Sequence, residues 1–352
     1  MVSAAEYGRN LGVLKLHFDG NSVSLYEYEL VAIDENVADD AEITALVEKY
    51  KSAVESDYLS KYGYTFDQVL VNNKYVFDTV DDVYATQHES TLCNIFADAY
   101  KVAVERVTGK KVDLAVTAAG VIRGTLPVGK VTVSDVFNAA SLGVGTEGEL
   151  IGIYLTGKDV KSAIELDASI QPLMRSAQLF MSGVEYSFNK NRMLFNKVDY
   201  AMFRAEDGST SEIVDDELYF VVAGMYMGQM LGSVEETSMG LISVTPRDEN
   251  GNPIATADLV NYVVKDENGN PLKEWFAIAD YLDDMGGEID ERYAEPDGRK
   301  VVYRSLNPIK LLKNANVFTY VVLAVIVVLS GVIALVVRLI VVRRRKKIVA
   351  KA

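Results

Sequence analysis

Histidine, cysteine and positive charge are scarce in this chain. Two histidines, His17 and His88, and one cysteine, Cys93, occur in 352 residues. A lone cysteine excludes an internal disulfide, and on an apolar helical stretch it reads as a small buried side chain rather than a nucleophile. A binuclear metal centre of the phosphatase type needs several His, Asp and Asn ligands, so two histidines exclude one here. Ser-His-Asp catalysis would have to use His88, yet no G-x-S-x-G elbow is present. Independent hydrolysis by this chain is therefore not expected. Basic residues number 35 against 50 acidic ones; up to residue 316 the balance is 28 against 50, a net charge of −22. A domain this acidic does not bind nucleic acid through a basic face, and any anion site on it must be local. The N-terminus lacks a basic region followed by an apolar one, so no export signal is read there. The chain accordingly reads as the C-terminal part of something longer, with Met1 not the start of the natural exported protein.

A charge-free apolar run is present once, at 317–337, and it raises the mean hydropathy to +0.09. At 1.5 Å per residue it spans a bilayer core of roughly 30 Å. Arg338 and the cluster Arg343-Arg-Arg-Lys-Lys347 follow it directly. This is a stop-transfer pattern: a single transmembrane helix at 317–337, a basic cytoplasmic tail at 338–352, and the acidic part outside the cell.

Before that run, Leu11, Val13, Leu14 and Leu16 begin a strand, and Asp19-Gly20-Asn21 between apolar alternations signals a hairpin. A helix is expected from about Ala41 to Leu59, and short extended runs at Val69–Val71 and Tyr75–Phe77. Further strands are expected at Gly148–Leu155, Leu179–Phe188 and Leu218–Val222. Thr156-Gly-Lys-Asp159 starts a helix to about Asp167, and Trp275–Met285 is an amphipathic helix. Two Asp-Glu-Asn-Gly-Asn-Pro loops, 248–253 and 266–271, lack the ligand spacing of a calcium-binding EF-hand.

The most informative stretch is Glu89–Gly145. Leu92, Ile95, Phe96, Ala99, Val102 and Ala103 recur at helical spacing, and Gly109 ends the helix. Leu114–Val116 reads as a buried strand of a mixed sheet, leading to a loop that carries Gly120 and Arg123. Thr132-Val-Ser-Asp135 is a capping-box start for the next helix. A strand that delivers a cation to a glycine-bearing loop before a capped helix suits an oxyanion.

Three pieces in order, Leu92-Cys-Asn94-Ile-Phe-Ala-Asp98-Ala99, Gly120-Val-Ile-Arg123 and Gly129-Lys-Val-Thr132-Val-Ser-Asp135-Val136, resemble the C-terminal domain of the 5'-nucleotidases. The resemblance implies an α+β fold, a mixed β-sheet with flanking helices, over residues 67–305. It also implies that 1–38 are the closing strands of a metallophosphatase domain and 39–66 the linker helix. That N-terminal domain would lie upstream and hold the divalent metals; no cofactor is expected in this chain. The substrate-binding domain would grip a phosphorylated small molecule, a nucleotide among the candidates.

By the resemblance Arg123 contacts the phosphate or ribose; a structural salt bridge is the alternative. The family's arginine upstream of the helix is replaced by Ala85-Thr-Gln-His88, and His88 substitutes for it only when protonated. Of the two base-stacking aromatics, one aligns with Leu142 in Ser141-Leu-Gly-Val144, so ring and amide are gone. The other aligns with Tyr226, without the Gly-Gly-Asp that follows it in the family. Tyr281, ahead of Gly286-Gly-Glu288, fits that position less well. The expected substrate-binding set is Gly120, Arg123, Tyr226, His88 and Leu142. Met225, Met227, Met230 and Met239 are core residues or the lining of an adaptable pocket. The rival reading is a non-catalytic surface binding or scaffold module on a decayed nucleotidase fold.

Overall fold

Alternating apolar and polar residues from Asn10 to Ala32 form the first element, an antiparallel hairpin of β1 (Asn10–Phe18) and β2 (Val23–Ala32). Its turn is local chemistry. The Asp19 carboxylate accepts from the backbone N–H groups of Asn21 and Ser22 at 2.9 and 2.7 Å, and Gly20 takes φ +93°. A bulge between Lys15 and Leu16 keeps Leu14, Leu16, Phe18, Leu25 and Tyr28 in cross-strand pairs. Helix α1 (Ala41–Asp57) is capped by Asp40, whose carboxylate accepts from Glu42 and Ile43. In the computed structural model, residues 2–4, 8–140, 148–237, 242–313 and 315–349 are described, and the chain divides into two units between Phe66 and Asp67. Hairpin and α1 belong to the first.

The second unit is α+β. Its central sheet has the order β6 (Leu150–Thr156), β11 (Leu218–Gly224), β4 (Leu114–Ala118), β7 (Leu179–Ser182). β4 and β11 run parallel and the other pairs antiparallel, so the sheet is mixed. Every residue of β4 is buried, as helices cover both faces: α3 (Thr91–Thr108) packs on one, and α5 (Gly157–Ile170) lies over the other. The same Thr/Asp capping box starts three helices: Thr79 and Asp82 at α2 (Val80–Ala85), Thr132 and Asp135 at α4 (Val133–Ala139), and Thr156 and Asp159 at α5. A two-stranded ribbon joins β3 (Val69–Asn73) to β5 (Gly129–Thr132). The expected second run, Tyr75–Phe77, is a loop instead, because the Asn73 amide donates to the carbonyls of Tyr75 and Pro127, both at 2.9 Å.

The expected single strand Leu179–Phe188 is broken. Gly183 takes φ +94°, and a Cβ there would fall 2.1 Å from the Asp113 carbonyl oxygen. The chain therefore leaves the first sheet at β7 and enters a second as β8 (Val184–Asn189). That sheet has the order β10 (Thr210–Ser211), β9 (Val198–Arg204), β8, β12 (Lys300–Tyr303), with β12 parallel to β8. After β12 come α8 (Pro308–Leu312) and α9 (Val317–Val349). Helix α9 runs on past Arg338, so its apolar stretch reaches Val341. The 23 residues Thr319–Val341 are long and apolar enough to cross a membrane, and most of them are exposed.

β12 is fixed by charge. The Lys300 ammonium sits 2.9 Å from the Asp167 carboxylate, with the two side chains 2% and 0% exposed, and it also donates to the Leu179 carbonyl at 3.1 Å. Asp167 accepts in addition from Leu179 N and the Tyr186 hydroxyl, each at 2.8 Å. Arg299 forks onto Asp98 at 2.8 and 3.2 Å. Burial pushes the Asp98 carboxyl up, but Arg299 outweighs it and holds the group below its ordinary range.

Removing one partner of such a pair strands the other. Lys300→Met should destabilise the fold by about 3–5 kcal/mol, and the double variant Asp167→Leu/Lys300→Met should recover a large part of that, in urea unfolding followed by circular dichroism. A second buried carboxylate behaves differently. Glu274, on α7 (Glu274–Asp284), has among the described residues only the Tyr100 hydroxyl, at 3.0 Å, as a side-chain partner, and burial pushes it up to about 7. A raised carboxyl stabilises fully below its unfolded value of 4.5, and that contribution is lost as pH rises through about 7. Glu274→Gln should leave the melting temperature at pH 5 nearly unchanged and raise it at pH 8.

Candidate functional site

β4 ends at Ala118, and the chain then tightens into a 3-10 turn, Ala119–Val121. Three backbone bonds set it: Ala119 N to Gln178 O at 2.8 Å, Ile122 N to Ala119 O at 3.0 Å, and Arg123 N to Ala139 O at 2.8 Å. Glycine at 120 is a steric requirement, since a Cβ would lie 2.9 Å from the Ser176 carbonyl oxygen. The turn thus presses against a second 3-10 turn, Arg175–Ala177.

Beside these turns lies a cavity of about 290 Å3. Its floor is one face of the central sheet, including Val116, Ala118, Ile153 and Val221. Ala163, Leu166 and Ile170 of α5 form one wall, and the first turns of α6 (Met225–Thr237) bring Tyr226, Met227 and Met230. Gly120 and Arg123 border it. Arg123 is exposed, and among the described residues no carboxylate pairs with its guanidinium, so the salt-bridge alternative finds no partner there.

Three of the five expected residues, Gly120, Arg123 and Tyr226, therefore share one cavity. His88 does not line it. Its Nε2 lies 2.9 Å from Asp78 Oδ2 and its Nδ1 3.0 Å from the Thr86 carbonyl. The Thr86 hydroxyl also lies 3.1 Å from Nδ1, and it can donate or accept there. The Asp78 hydrogen bond, against the burial that opposes it, holds His88 above its ordinary range. Leu142 and Met239 lie outside the described residues. Met225 belongs to the core, and Tyr281 hydrogen-bonds Tyr293 at 2.6 Å instead of facing the cavity.

Sequence reasoning missed Tyr84 and Ser176, which border the cavity, and Arg175, exposed on the turn packed against 119–121. No local pattern marks them; only the packing of two turns some 55 residues apart brings Arg175 near. Chemically, the site offers a guanidinium without an internal counter-ion, a phenol ring and apolar walls. That is equipment for holding an anion with an organic group. The one thiol, Cys93, is fully buried and pushed up to about 12, far from thiolate at neutral pH. Among the described residues, no group of three or more His, Cys, Asp or Glu side chains is placed to hold a metal ion.

Residues 73–233 match the family model for the 5'-nucleotidase C-terminal domain. This part of the chain is a 5'-nucleotidase C-terminal domain. The matched residues include the Gly120–Arg123 turn and Tyr226. Two Bacillus subtilis proteins are similar in sequence: the trifunctional nucleotide phosphoesterase protein YfkN, 26% identical over 231 residues, and endonuclease YhcR, 25% identical over 249. These alignments take in 65% and 70% of this chain but 15% and 18% of the relatives, so the chain spans under a fifth of either relative's length. In fold it is similar to a 5'-nucleotidase precursor from Thermus thermophilus, with a TM-score of 0.57 and 21% identity, over 86% of this chain and 52% of that one.

The His88–Asp78 pair has a pH signature. A raised histidine stabilises fully below its unfolded value of 6.5, and the contribution is lost as pH rises through the higher folded value. Melting temperatures of wild type and His88→Gln should therefore differ at pH 6 and converge above the folded value.

Proposed function

We propose that this chain is the membrane-anchored, substrate-gripping part of a 5'-nucleotidase-like phosphoester hydrolase. Arg123 binds the phosphate or the adjoining ribose of a phosphorylated small molecule. Tyr226 packs against the organic group, which enters the cavity over the central sheet. The chemical step belongs to divalent metals held by a metallophosphatase domain outside these residues. Helix α9 anchors the domain, with the basic tail on the cytoplasmic side and the acidic domain outside the cell. The observation that carries this reading is the convergence of Gly120, Arg123 and Tyr226 on one cavity, with the guanidinium unpaired among the described residues.

Arg175 extends the reading. The upstream arginine that the family resemblance implies is absent, and His88 is committed to Asp78. Arg175 offers a second exposed cation on the neighbouring turn. The walls narrow the substrate as well, since a cavity bounded by Val116, Ile153, Leu166 and Val221 gives a base few hydrogen-bonding partners. The replacement of a stacking ring at Leu142 and the missing Gly-Gly-Asp after Tyr226 favour the second reading, a binding or scaffold module that no longer serves hydrolysis.

Calorimetric titration of the full chain in detergent, with nucleotides, sugar phosphates and phosphate esters of apolar alcohols, separates the two. The first reading expects one class to bind, with Arg123→Ala weakening it about 10- to 100-fold, the effect of a charge-assisted hydrogen bond. Binding that Arg123→Ala leaves unchanged, or no binding even with a metallophosphatase domain restored, would leave the scaffold reading.

A further inference from the structure

The acidity of residues 1–316 is unevenly spread. Segments 189–198 and 304–316 hold Lys190, Arg192, Lys197, Arg304, Lys310 and Lys313 and no acidic residue. They are more than a hundred residues apart in sequence, yet they are fastened together at the foot of α9. Lys190 N donates to Tyr303 O at 2.9 Å, and the Asn189 amide donates to Ser305 O and accepts from Ser305 N, each at 2.9 Å. Arg192 donates to the carbonyl oxygens of Val198, at 2.9 Å, and of Lys313. The Asn316 amide donates to Phe195 O at 3.0 Å, while its Oδ1 accepts from Thr319 N in the first turn of α9 at 2.9 Å.

Arg192 and Lys197 lie buried in this foot, Lys190 is half-buried, and Arg304, Lys310 and Lys313 are exposed. Among the described residues, Lys190, Lys197, Arg304, Lys310 and Lys313 form no ion pair. The carboxylates beneath are engaged elsewhere: Glu165 accepts from the backbone N–H groups of Lys197 and Val198, at 2.7 and 2.9 Å, and Asp199 from Ser187 and Tyr303. Lys190 is held below its ordinary range by burial and then by Arg304, Lys197 and Lys300. Leu306 and Ile309 stand among these cations, 77% and 80% exposed.

Lys190, Arg304, Lys310 and Lys313, cations without ion pairs among the described residues, with protruding aliphatic side chains beside them at the root of an apolar helix, match the chemistry of a charged bilayer surface. We propose that this basic foot seats the domain on anionic phospholipid headgroups of the bilayer that α9 enters, with Leu306 and Ile309 reaching into the interface. The proposal rests on the reading of α9 as a membrane span. Outside the foot, 22 basic residues face 50 acidic ones over residues 1–316, a net −28. The same lipid surface that attracts the foot repels the remainder, so the contact orients the domain as well as holding it.

The test uses the full chain in vesicles of phosphatidylcholine alone or with about 30% phosphatidylglycerol, enough to give the surface an anionic potential. Ile309→Cys carries an environment-sensitive fluorophore; Cys93 is buried and stays unlabelled. In the anionic vesicles the emission should shift to the blue, and quenching by aqueous acrylamide should fall about threefold. About 0.5 M salt should reverse part of this, since it shortens the screening length. The triple variant Lys190→Glu/Arg304→Glu/Lys310→Glu should remove the dependence on lipid charge. Equal quenching in both compositions, or a triple variant as protected as its parent, would overturn the proposal. Alkaline carbonate extraction separates the two levels: a chain released by carbonate sinks the membrane span and the seating with it. A retained chain with composition-blind quenching sinks the seating alone.

Discussion

Three buried carboxylates determine where the end of the domain lies. Glu89, at the threshold of α3, accepts from the Asn94 amide and from the backbone N–H groups of Asp297 and Gly298. Asp98, two turns further on, takes the guanidinium of Arg299, and Asp167 on α5 takes the ammonium of Lys300. A charge removed from water is tolerable only when its partners are in place, so these acids admit β12 in one register. β12 parallel to β8 then fixes the 304–316 segment, and through it the root of α9. The same α3 packs under β4, whose end presents the Gly120–Arg123 turn. One set of ion pairs thus ties the cavity side of the domain to the root of α9.

This division of labour changes the meaning of the sequence motif. Asn94 and Asp98 stand in the block that resembles the 5'-nucleotidases beside Gly120 and Arg123, but only the latter two face the cavity. The former hold the clamp. A motif read along the chain mixes both kinds of residue, because position in sequence carries no record of whether a side chain points to a ligand or to a strand about 200 residues away.

Legibility follows range. The hairpin turn at Asp19–Ser22, the capping boxes at Thr132 and Thr156 and the left-handed stop at Gly109 are all readable, since each is settled by residues three or four apart. The break at Gly183 is not. It depends on the Asp113 carbonyl approaching from another strand, and without that neighbour Leu179–Phe188 is an unbroken run of strand formers. His88 is misread for the same reason: its role hangs on Asp78, ten residues away across a helix and a bend. Tyr226 and Arg123, by contrast, can be placed at one cavity because the family pattern carries a spatial relation that local propensity cannot.

The arginines of the second unit show what the acidity of the domain does. Arg106, Arg204, Arg247 and Arg299 each lie within ion-pair distance of a carboxylate, and Arg192 and Arg292 donate to carbonyl or phenol oxygens. Arg123, Arg175 and Arg304 do neither among the described residues. In a chain with a surplus of carboxylates, an arginine reaches a partner easily, and among the described residues 67–316 the three that do not are confined to two places: the paired turns beside the cavity and the foot of α9. Exposed like-signed repulsion is screened within about 10 Å at moderate salt, so the surrounding acids do not cancel a guanidinium at contact distance. They do make each such cation a local exception in a repelling field, which favours anions that arrive with something else to bind. At the cavity that second attraction is apolar wall and Tyr226; at the foot of α9 it is Leu306 and Ile309. Both places pair an uncompensated cation with apolar surface, and that pairing distinguishes them from the salt-bridged remainder of the domain.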